Sequence, residues 1–268
     1  MGVYTTNFYG GADCNPIGTV GNSALFTSAL LTGEEDIKTE NCSGGIPCMG
    51  AFGRWTASGS ILQNQVVHTG NNAIKVTALY GPTINLKLRE SAGFMDRKKG
   101  YMVSAWILAS ANSNPAFVVE FRRNVSPPVP GTGADPVVDS IDLVQEYITA
   151  KGAFPTNKWV KVERLIPFEE LSGQGIFGTT PNHDYLRIWL GKGSAANANP
   201  VYVDDVRLYP ADAQFSTQNF DNTGLVTSTL DANNDPSFIE YDVWRSPVGV
   251  RNKEGLLRSS STVKLFNE

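Results

Sequence analysis

Short segments in which apolar residues alternate with polar ones recur along the chain, and this period of two is the pattern of half-buried β-strands. In residues 116–123, Phe117, Val119 and Phe121 fall on one face, and Glu120 and Arg122 fall on the other. Strand patterns of similar length occupy residues 73–79, 83–88, 101–109, 159–166, 185–190 and 201–208. Residues 141–148 fit either a short strand or a turn of helix. About eight strands at this spacing predict an all-β fold, a jelly-roll β-sandwich.

Glycine, proline and small polar residues divide the chain into three predicted parts. Residues 1–30, rich in Gly, Asn and Thr, are predicted to be a leader segment that packs on or beside the main domain. The jelly-roll domain is predicted over residues 31–210, interrupted by the Pro/Gly loop SPPVPGTGADP at 126–136, which no regular element tolerates. Residues 211–268 form a third part with a different rhythm.

The third part repeats itself. Phe220-Asp221 and Tyr241-Asp242 lie 21 residues apart, with the turn sequences DANND at 231–235 and RNKEG at 251–255 between and after them. A repeat of about 20 residues predicts stacked β-hairpins, in which no unit buries a core alone. Two units are too few to be stable by themselves, so this part must pack on the sandwich, on a partner or on further repeats.

Composition narrows the classes of partner. The net charge is −4 and the isoelectric point about 5.3, so there is no basic field for nucleic acid. No apolar run approaches the ~20 residues that a membrane span needs. The first residues, MGVYTTNFYGG, lack the pattern of a signal peptide. The chain is therefore expected to be either cytoplasmic or a piece of a longer precursor, and the unfinished repeats favour the precursor.

The three cysteines leave two alternatives open. Cys42 and Cys48 flank SGGIP, and a tight turn there could bring them within the range of a disulfide bond, leaving Cys14 free. Otherwise all three are unpaired small apolar residues.

One predicted strand carries an unusual polar face. Tyr185, Arg187 and Trp189 share a face opposite three aliphatic residues that belong to the core. Glu120 and Arg122 could lie on the same face of a neighbouring strand. Aromatic rings stack on the apolar side of a sugar ring, and a guanidinium donates to its hydroxyls, so this face predicts a sugar site. The alternative is a small additional core, with both aromatic rings covered by the Pro/Gly loop.

Other candidates for chemistry are weaker. Trp55, after a Gly-rich stretch, is either a platform for a ligand or a core residue. His68 lies in HTGNN, where side chains of a turn satisfy backbone groups. Common nucleophile, zinc and phosphate motifs do not occur. Glu120, Glu163 and Asp184 could converge as carboxylates for glycoside hydrolysis, but no pattern singles them out.

Five segments carry a resemblance to a known family. HTGNNAIKV (68–76), YMVSAWI (101–107), NKWVKVE (157–163), YLRIWL (185–190) and VYVDDVRLY (201–209) resemble the galactose-binding-like jelly rolls that include many carbohydrate-binding modules. The resemblance covers roughly residues 31–210 and marks the fold more than the ligand.

The same resemblance implies a structural calcium ion near the last strand, with Asp204 or Asp205 as one ligand. Glu34 and Glu35, in the acidic run of the first strand, would supply the partner carboxylates, since calcium takes several hard oxygens. Because strand residues alternate, only one of Asp204 and Asp205 is expected to face the metal. The alternative is that both are solvated carboxylates at a strand end.

The third part resembles YD-repeat (Rhs-type) sequence. The first unit keeps Gly224 but has Phe220 in place of Tyr, and the second keeps Tyr241-Asp242 but has Arg245 at the Gly position. A sandwich followed by such repeats resembles large secreted surface proteins of Bacteroidetes-type bacteria. This resemblance implies a secreted or cell-surface location and a longer parent protein.

Three functions follow from the sequence. The first is a non-catalytic carbohydrate-binding module, with no enzymatic activity, in a secreted YD-repeat protein. The second is a structural or interaction module, whose unpaired β-edges dock to a secretion or surface-assembly partner or to further YD-type repeats. The third is an enzyme that acts on glycans.

Overall fold

The structure is a computed structural model. It describes residues 5–10, 15–21, 30–32, 40–42, 46–49, 55–56, 60–70, 72–77, 80–89, 95–96, 100–123, 137–167, 185–192, 199–221, 223–233 and 235–260. The first strands are β1 (Thr5–Gly10), β2 (Asn15–Gly21), β3 (Leu30–Thr32), β4 (Glu40–Cys42), β5 (Ile46–Met49), β6 (Trp55–Thr56) and β7 (Ser60–Gln63). The next are β8 (Ala73–Val76), β9 (Tyr80–Arg89), β10 (Met95–Asp96), β11 (Tyr101–Ala109), β12 (Pro115–Arg122), β13 (Val137–Asp142) and β14 (Trp159–Ile166). The last are β15 (Tyr185–Lys192), β16 (Val201–Pro210), β17 (Gln214–Phe220), β18 (Val226–Leu230), β19 (Pro236–Tyr241), β20 (Pro247–Asn252) and β21 (Leu257–Ser260).

These strands form three sheets. The front sheet has the order β13-β12-β15-β9-β6-β5-β4, with β10 beside β9. The middle sheet has the order β14-β11-β16-β8-β7, with β3 beside β16, and the terminal sheet has the order β1-β2-β17-β18-β19-β20-β21. The described strand pairs are antiparallel, except that β10 runs parallel to β9. The predicted all-β class is confirmed.

The front and middle sheets pack face to face as a sandwich. Alternate residues of their central strands point inward and form one buried cluster, which includes Val103 and Ile107 of β11, Phe117 and Phe121 of β12, and Ile188 of β15. The remaining positions of these strands point away from the core. The alternation in the sequence therefore assigned the inward faces of β12 and β15 correctly.

The described residues contain one helix, α1 (Leu143–Lys151), where the sequence left strand and helix open. Asp142 ends β13 and caps the helix, because its carboxylate accepts hydrogen bonds from the backbone N–H groups of Val144 and Gln145. Gly152 ends the helix with a φ of 88°. At nine residues, α1 is too short to cross a membrane, and no other described segment forms a membrane-spanning helix.

The terminal sheet adds a third layer against the outer face of the middle sheet. Tyr209 of β16 and Phe215 of β17 form a small second apolar cluster, with ring centroids 5.3 Å apart. The hydroxyl of Tyr209 donates to the backbone oxygen of Ala232, 3.2 Å away, and the Lys161 ammonium donates to that of Asn233. The described part of the third segment therefore packs on the sandwich, which is one of the three possibilities given by the sequence.

The predicted leader contributes to the same sheet. The β1–β2 hairpin pairs through β2 with β17, with Gly21 opposite Gln214 and Gly18 opposite Thr217. Strands from both ends of the described chain therefore complete one sheet.

The hairpin turns of the terminal sheet share one geometry. Asp221, Asp231, Asp242 and Asn252 each begin a turn, and each backbone N–H donates to the carbonyl oxygen four residues later. In each case the side-chain Oδ1 accepts from the backbone N–H groups two and four residues later. These Asx turns recur every 10 or 11 residues. The turns predicted at 231–235 and 251–255 are thereby confirmed.

The fourth residue of the turn requires a left-handed backbone. Gly224 and Gly255 have φ angles of 82° and 78°, and Arg245, at the position where the repeat pattern has glycine, adopts 65°. The geometry of the turn therefore persists where the sequence departs from the pattern, at the cost of backbone strain at Arg245.

The backbone does not place the two cysteines of the β4–β5 hairpin opposite each other. Cys42 pairs with Ile46, and Cys48 pairs with Glu40, so the two cysteines are diagonal neighbours. Diagonal positions lie about 7–8 Å apart, beyond the usual reach of a disulfide bond. The bonding state of the two cysteines stays a prediction. Cys14 and the Pro/Gly loop at 126–136 lie outside the described residues.

Candidate functional site

The predicted polar face exists on the outer side of the front sheet. β15 lies between β12 and β9, and its register places Arg187 opposite Glu120 and Tyr185 opposite Arg122. Trp189 lies on the same face, four residues along β15 from Tyr185, which is about 13 Å. The opposite side of these strands is the buried core. The sequence correctly placed these five residues on one face of two neighbouring strands.

The Glu120 carboxylate lies at the centre of this face. Its Oε1 accepts a hydrogen bond from Nε1 of Trp189 at 2.7 Å. Its Oε2 accepts one from the Arg122 guanidinium at 2.9 Å, and a guanidinium nitrogen of Arg187 lies 3.6 Å away. Glu120 therefore fixes the edge of the indole ring and lies between two cations. We call Glu120, Arg122, Tyr185, Arg187 and Trp189 the carboxylate-centred face.

The burial of these side chains is graded. Arg122 is fully buried. A buried charge needs a partner of opposite charge, and the Glu120 carboxylate supplies it. Glu120, Tyr185, Arg187 and Trp189 are intermediate between buried and exposed. The face is thus a partly accessible polar surface rather than a fully covered one within the described residues.

Polar positions extend the face across the sheet. Asn85 of β9 is opposite Arg187, and Ser140 of β13 is opposite Glu120; both are exposed. The row Asn85, Arg187, Glu120 and Ser140 spans four strands, which at the usual strand spacing is about 14 Å. A surface of this width is large enough for an extended ligand.

Trp55 is placed only through its strand. It lies in β6, and its neighbour Thr56 pairs with Thr83 of β9, which in turn is the register partner of Trp189. β6 is therefore two strands from Trp189 in the front sheet. The position of the Trp55 side chain is outside what the structure describes, so its role stays a prediction.

Asp204 and Asp205 lie elsewhere, on the outer side of the middle sheet. A β-bulge interrupts the pairing of β16 with β11, because Trp106 pairs with Asp204 and Ser104 pairs with Arg207. Asp205 takes a left-handed backbone, with a φ of 50°. The bulge breaks the alternation, so Asp204 and Asp205 do not point to opposite faces of the sheet as the alternation predicted. Both are also buried, not solvated.

Both carboxylates contact the same turn. Asp204 accepts hydrogen bonds from the backbone N–H groups of His68 at 2.8 Å and Thr69 at 3.2 Å. Asp205 lies 2.9 Å from Nδ1 of His68 and accepts from the Thr69 hydroxyl at 2.9 Å. The His68 ring stacks on Trp106, with ring centroids 3.9 Å apart. The prediction that His68 satisfies backbone groups was wrong, since its side chain pairs with a carboxylate.

The described residues explain the burial of these carboxylates without a metal ion. Asp204 Oδ1 accepts the N–H of Asp205 at 2.8 Å, so each of the four carboxylate oxygens accepts at least one hydrogen bond from the protein. Nitrogen and hydroxyl donors surround these oxygens, whereas calcium requires a shell of oxygen ligands. No group of three or more His, Cys, Asp or Glu side chains suited to a metal occurs within the described ranges. Glu34 and Glu35 lie outside them, so the calcium site stays a prediction.

The polar network continues into the terminal sheet. Asn219 of β17 donates to the Thr69 hydroxyl at 2.9 Å and to the Ser228 hydroxyl at 3.1 Å. Arg207 donates to the backbone oxygen of Asp231 at 2.9 Å and to the Thr217 hydroxyl at 2.7 Å. The contact between the middle and terminal sheets is therefore largely polar and hydrogen-bonded.

Arg207 carries a buried charge in this contact. Burial lowers the pKa of its guanidinium to about 10, although the Asp205 carboxylate acts in the opposite direction. Arg207 therefore remains charged at neutral pH. Its guanidinium carbon lies 5.0 Å from the centre of the Phe215 ring. The alternation pattern did not single out Arg207 or Asn219, because both lie in the contact between the middle and terminal sheets, which no local sequence pattern contains.

The carboxylates considered for hydrolysis are not brought together. Glu120 lies on the outer face of the front sheet, whereas Glu163 lies on β14 of the middle sheet, where it forms an ion pair with Lys161 at 3.0 Å. Asp184 lies outside the described residues. Glu120 and Glu163 therefore cannot act on one bond.

No protein-family model matches the chain, and no curated protein matches it. Solved structures with a similar arrangement include the CBM22-1 xylan-binding domain from Paenibacillus barcinonensis Xyn10C, at 17% identity and a TM-score of 0.34, covering 59% of this chain and 85% of that chain. A C-terminal family 22 carbohydrate-binding module of Clostridium thermocellum Xyn10B has 14% identity and a TM-score of 0.36, with 61% and 90% covered. The family 30 carbohydrate-binding module of a Clostridium thermocellum cellulosomal cellulase has 16% identity and a TM-score of 0.32, with 70% and 96% covered. At scores this low, the similarity carries no argument about the ligand of this chain.

Proposed function

We propose that the carboxylate-centred face binds a carbohydrate, and that the chain is a non-catalytic carbohydrate-binding module. The observation that carries the proposal is the hydrogen bond from Trp189 Nε1 to the Glu120 carboxylate. Both side chains lie next to Arg187, on the side of the front sheet that faces away from the core. An aromatic ring whose N–H is already bonded offers a ligand its apolar surface, which suits the apolar face of a sugar ring.

The neighbouring groups supply the polar part of such a site. Arg187 presents a planar fork of donors, and Tyr185 offers a second aromatic ring further along β15. Sugar sites combine apolar surface with a few placed polar groups, and this face has both. The proposal depends on the face itself.

Glycan binding is tested with Trp189→Ala on a glycan array, followed by calorimetry with any glycan retained. Loss of the ring should weaken binding at least about tenfold, which corresponds to about 1.4 kcal/mol. The matched control is Trp244→Ala, because Trp244 is an exposed tryptophan on the terminal sheet. Near-UV circular dichroism checks the fold of both variants.

Two results would refute the proposal. One is the absence of any retained glycan for the wild-type chain across plant, bacterial and host polysaccharides. The other is an equal loss of binding in Trp189→Ala and Trp244→Ala, which would indicate nonspecific adhesion to exposed aromatic rings.

A second candidate function is supported by the terminal sheet. Four Asx turns of one geometry recur at 10- or 11-residue intervals, as expected of a segment of YD-type repeats in a secreted or cell-surface protein. In this role the chain docks to a secretion or surface-assembly partner. Co-purification with a defined cell-envelope component, abolished by Leu257→Lys on β21, is the expected result; an unchanged yield with that variant would contradict it.

A separate proposal is a structural calcium ion bound by Asp204 or Asp205 together with Glu34 and Glu35. A bound ion stabilises the folded state by mass action, so a chelator should lower the melting temperature, and added calcium should restore it. An unchanged melting temperature would refute the site.

A further inference from the structure

A groove lies between β13 and helix α1, beside the carboxylate-centred face. Its volume is about 420 Å³, within the range of about 300–1,000 Å³ that is usual for small-molecule sites. The opposite side of α1, with Leu143 and Val144, is buried in the core, so the groove is on the outside of the domain. Its described lining consists of residues 140–142 of β13 and one face of the helix, with Gln145, Glu146, Thr149 and Ala150.

The register of the front sheet joins this groove to the carboxylate-centred face. Ser140 of the groove is opposite Glu120, and directly opposed residues of antiparallel strands point to the same face. Asp142 of the groove is opposite Val118, which is in turn opposite Trp189. The groove therefore begins one strand from Glu120, about 5 Å, and two strands from Trp189, about 10 Å. A ligand that lies on the Trp189 ring can thus reach the groove along the surface of the sheet.

The polar groups of the groove suit sugar hydroxyls. Ser140 and Thr149 carry hydroxyls, Gln145 carries an amide, and all three residues are exposed. Such side chains contain both donors and acceptors, as sugar hydroxyls do. The Thr149 hydroxyl donates to the backbone oxygen of Gln145 at 2.8 Å, which leaves its lone pairs to accept a hydrogen bond. The lining is therefore able to bond several hydroxyls of one ligand.

The charges of the groove disfavour an acidic sugar. Asp142 and Glu146 supply two carboxylates, and no Lys or Arg is among the described residues that line the groove. The Glu146 carboxylate is balanced by the Arg164 guanidinium of β14, 3.1 Å away. The Asp142 carboxylate is bonded to backbone N–H groups of the helix, so one negative charge is left in excess. A sugar carboxylate or sulfate in the groove would meet a charge of its own sign.

We propose that this groove is a second subsite of the carbohydrate-binding surface, and that it takes uncharged sugar residues of a neutral glycan chain. The inference rests on the proposed function, because it requires a glycan on the carboxylate-centred face. One sugar ring lies on Trp189, and the chain then crosses β12 and β13 into the groove. The surface therefore binds several consecutive sugar residues rather than one.

Affinity electrophoresis first identifies the polymer that the wild-type chain binds. The neutral polymers are xylan, β-glucan, galactan, mannan and chitin, and the acidic ones are polygalacturonate, alginate and hyaluronate. A neutral polymer should retard the protein more than every acidic one. Calorimetry then compares the trisaccharide and the hexasaccharide of that polymer, and the hexasaccharide should bind more tightly because it reaches the groove.

Two variants test the groove itself. Thr149→Phe fills it with a ring at little cost to the helix, and it should weaken hexasaccharide binding at least about tenfold. Gln145→Ala should weaken the same binding about threefold to tenfold, as expected for the loss of one hydrogen bond. The matched control is Lys151→Phe, which places the same ring at an exposed position of α1 outside the groove lining and should bind as the wild type does. Melting temperatures confirm that the variants fold.

Failure of the groove and failure of the proposed function give different results. Retardation by no polymer, or binding that Trp189→Ala leaves unchanged, would overturn both together. Binding that Trp189→Ala weakens but Thr149→Phe and Gln145→Ala do not would overturn the groove alone. Equal weakening by Thr149→Phe and Lys151→Phe, or stronger retardation by an acidic polymer than by every neutral one, would have the same meaning.

Discussion

Replacement of Arg207 by methionine tests whether the buried polar contact holds the terminal sheet on the sandwich. Methionine has a similar length and no charge, so Arg207→Met removes the hydrogen bonds to the Asp231 carbonyl and the Thr217 hydroxyl. It also removes the cation beside the Phe215 ring. Because Arg207 is fully buried, solvent cannot replace these interactions.

The expected magnitude follows from two opposing contributions. The pKa of Arg207 falls from 12.5 to about 10, and at 1.36 kcal/mol per pKa unit this costs the charged form about 3 kcal/mol, which the substitution recovers. Two hydrogen bonds from a charged donor contribute about 1.5–3 kcal/mol each, and the buried Thr217 hydroxyl left without its donor costs about 1 kcal/mol or more. The net result is a loss of roughly 2 kcal/mol in the free energy of unfolding.

Urea denaturation measures this difference directly. The matched control is Arg123→Met, since Arg123 is exposed at the end of β12, and its change should stay within about 0.5 kcal/mol. An Arg207→Met protein as stable as the wild type, or more stable, would refute the reasoning. That result would mean that the buried charge costs more than its hydrogen bonds return, as in some buried ion pairs.

Three further predictions concern single elements. Burial raises the pKa of the Asp142 carboxyl, so at neutral pH Asp142→Asn should be as stable as the wild type or more stable. Asp142→Ala removes the helix cap and should lower the free energy of unfolding by about 1 kcal/mol, measured by thermal unfolding. Gly224→Ala should destabilise the protein by about 1 kcal/mol through its left-handed backbone alone, since a Cβ at this position meets no atom within 4 Å. Arg245→Gly should stabilise the protein by roughly 0.5 kcal/mol. A change of the opposite sign in urea titrations of either variant would contradict the strain argument. Hydrogen bonding by Thr223 holds the pKa of Asp221 below its usual 3.8, so the carboxylate stabilises the fold above that pH and loses this effect as the pH falls through the lower folded value. Melting curves should therefore show an acid-induced loss in the wild type that Asp221→Asn lacks.

Strands β11, β12, β14 and β15 of the sandwich were predictable because one face of each packs into the apolar core. β11 and β14 have the bounds expected from their alternation, and β12 and β15 differ by one or two residues at their ends. The two short strands β6 and β10 contain two residues each, and a period cannot be recognised over that length. The N-terminal hairpin was missed for a different reason, since its pairing with β17 depends on a partner distant in sequence.

The carboxylate-centred face could be predicted in part. Alternation placed Glu120 and Arg187 on one face, but the role of Glu120 as acceptor for Trp189 depends on the strand order β12-β15-β9, which no local pattern contains. At Asp204 and Asp205 the same alternation failed, because one extra residue in β16 shifts the phase of the strand. Bulges of this kind carry no reliable local sequence signal, so a strict period of two extends only as far as the first bulge.

The pairing of β2 with β17 has a consequence for the order in which the chain can fold. Gly21 contacts Gln214, so during synthesis the first hairpin emerges long before its neighbour in the sheet exists. Contacts of such long sequence separation form late, because loop closure must precede them. The sandwich can assemble while the β1–β2 hairpin remains without its sheet, and the terminal sheet then joins the two stretches of chain in a final step. A nascent chain arrested before residue 214 should accordingly expose this hairpin to proteases, whereas the released chain should protect it.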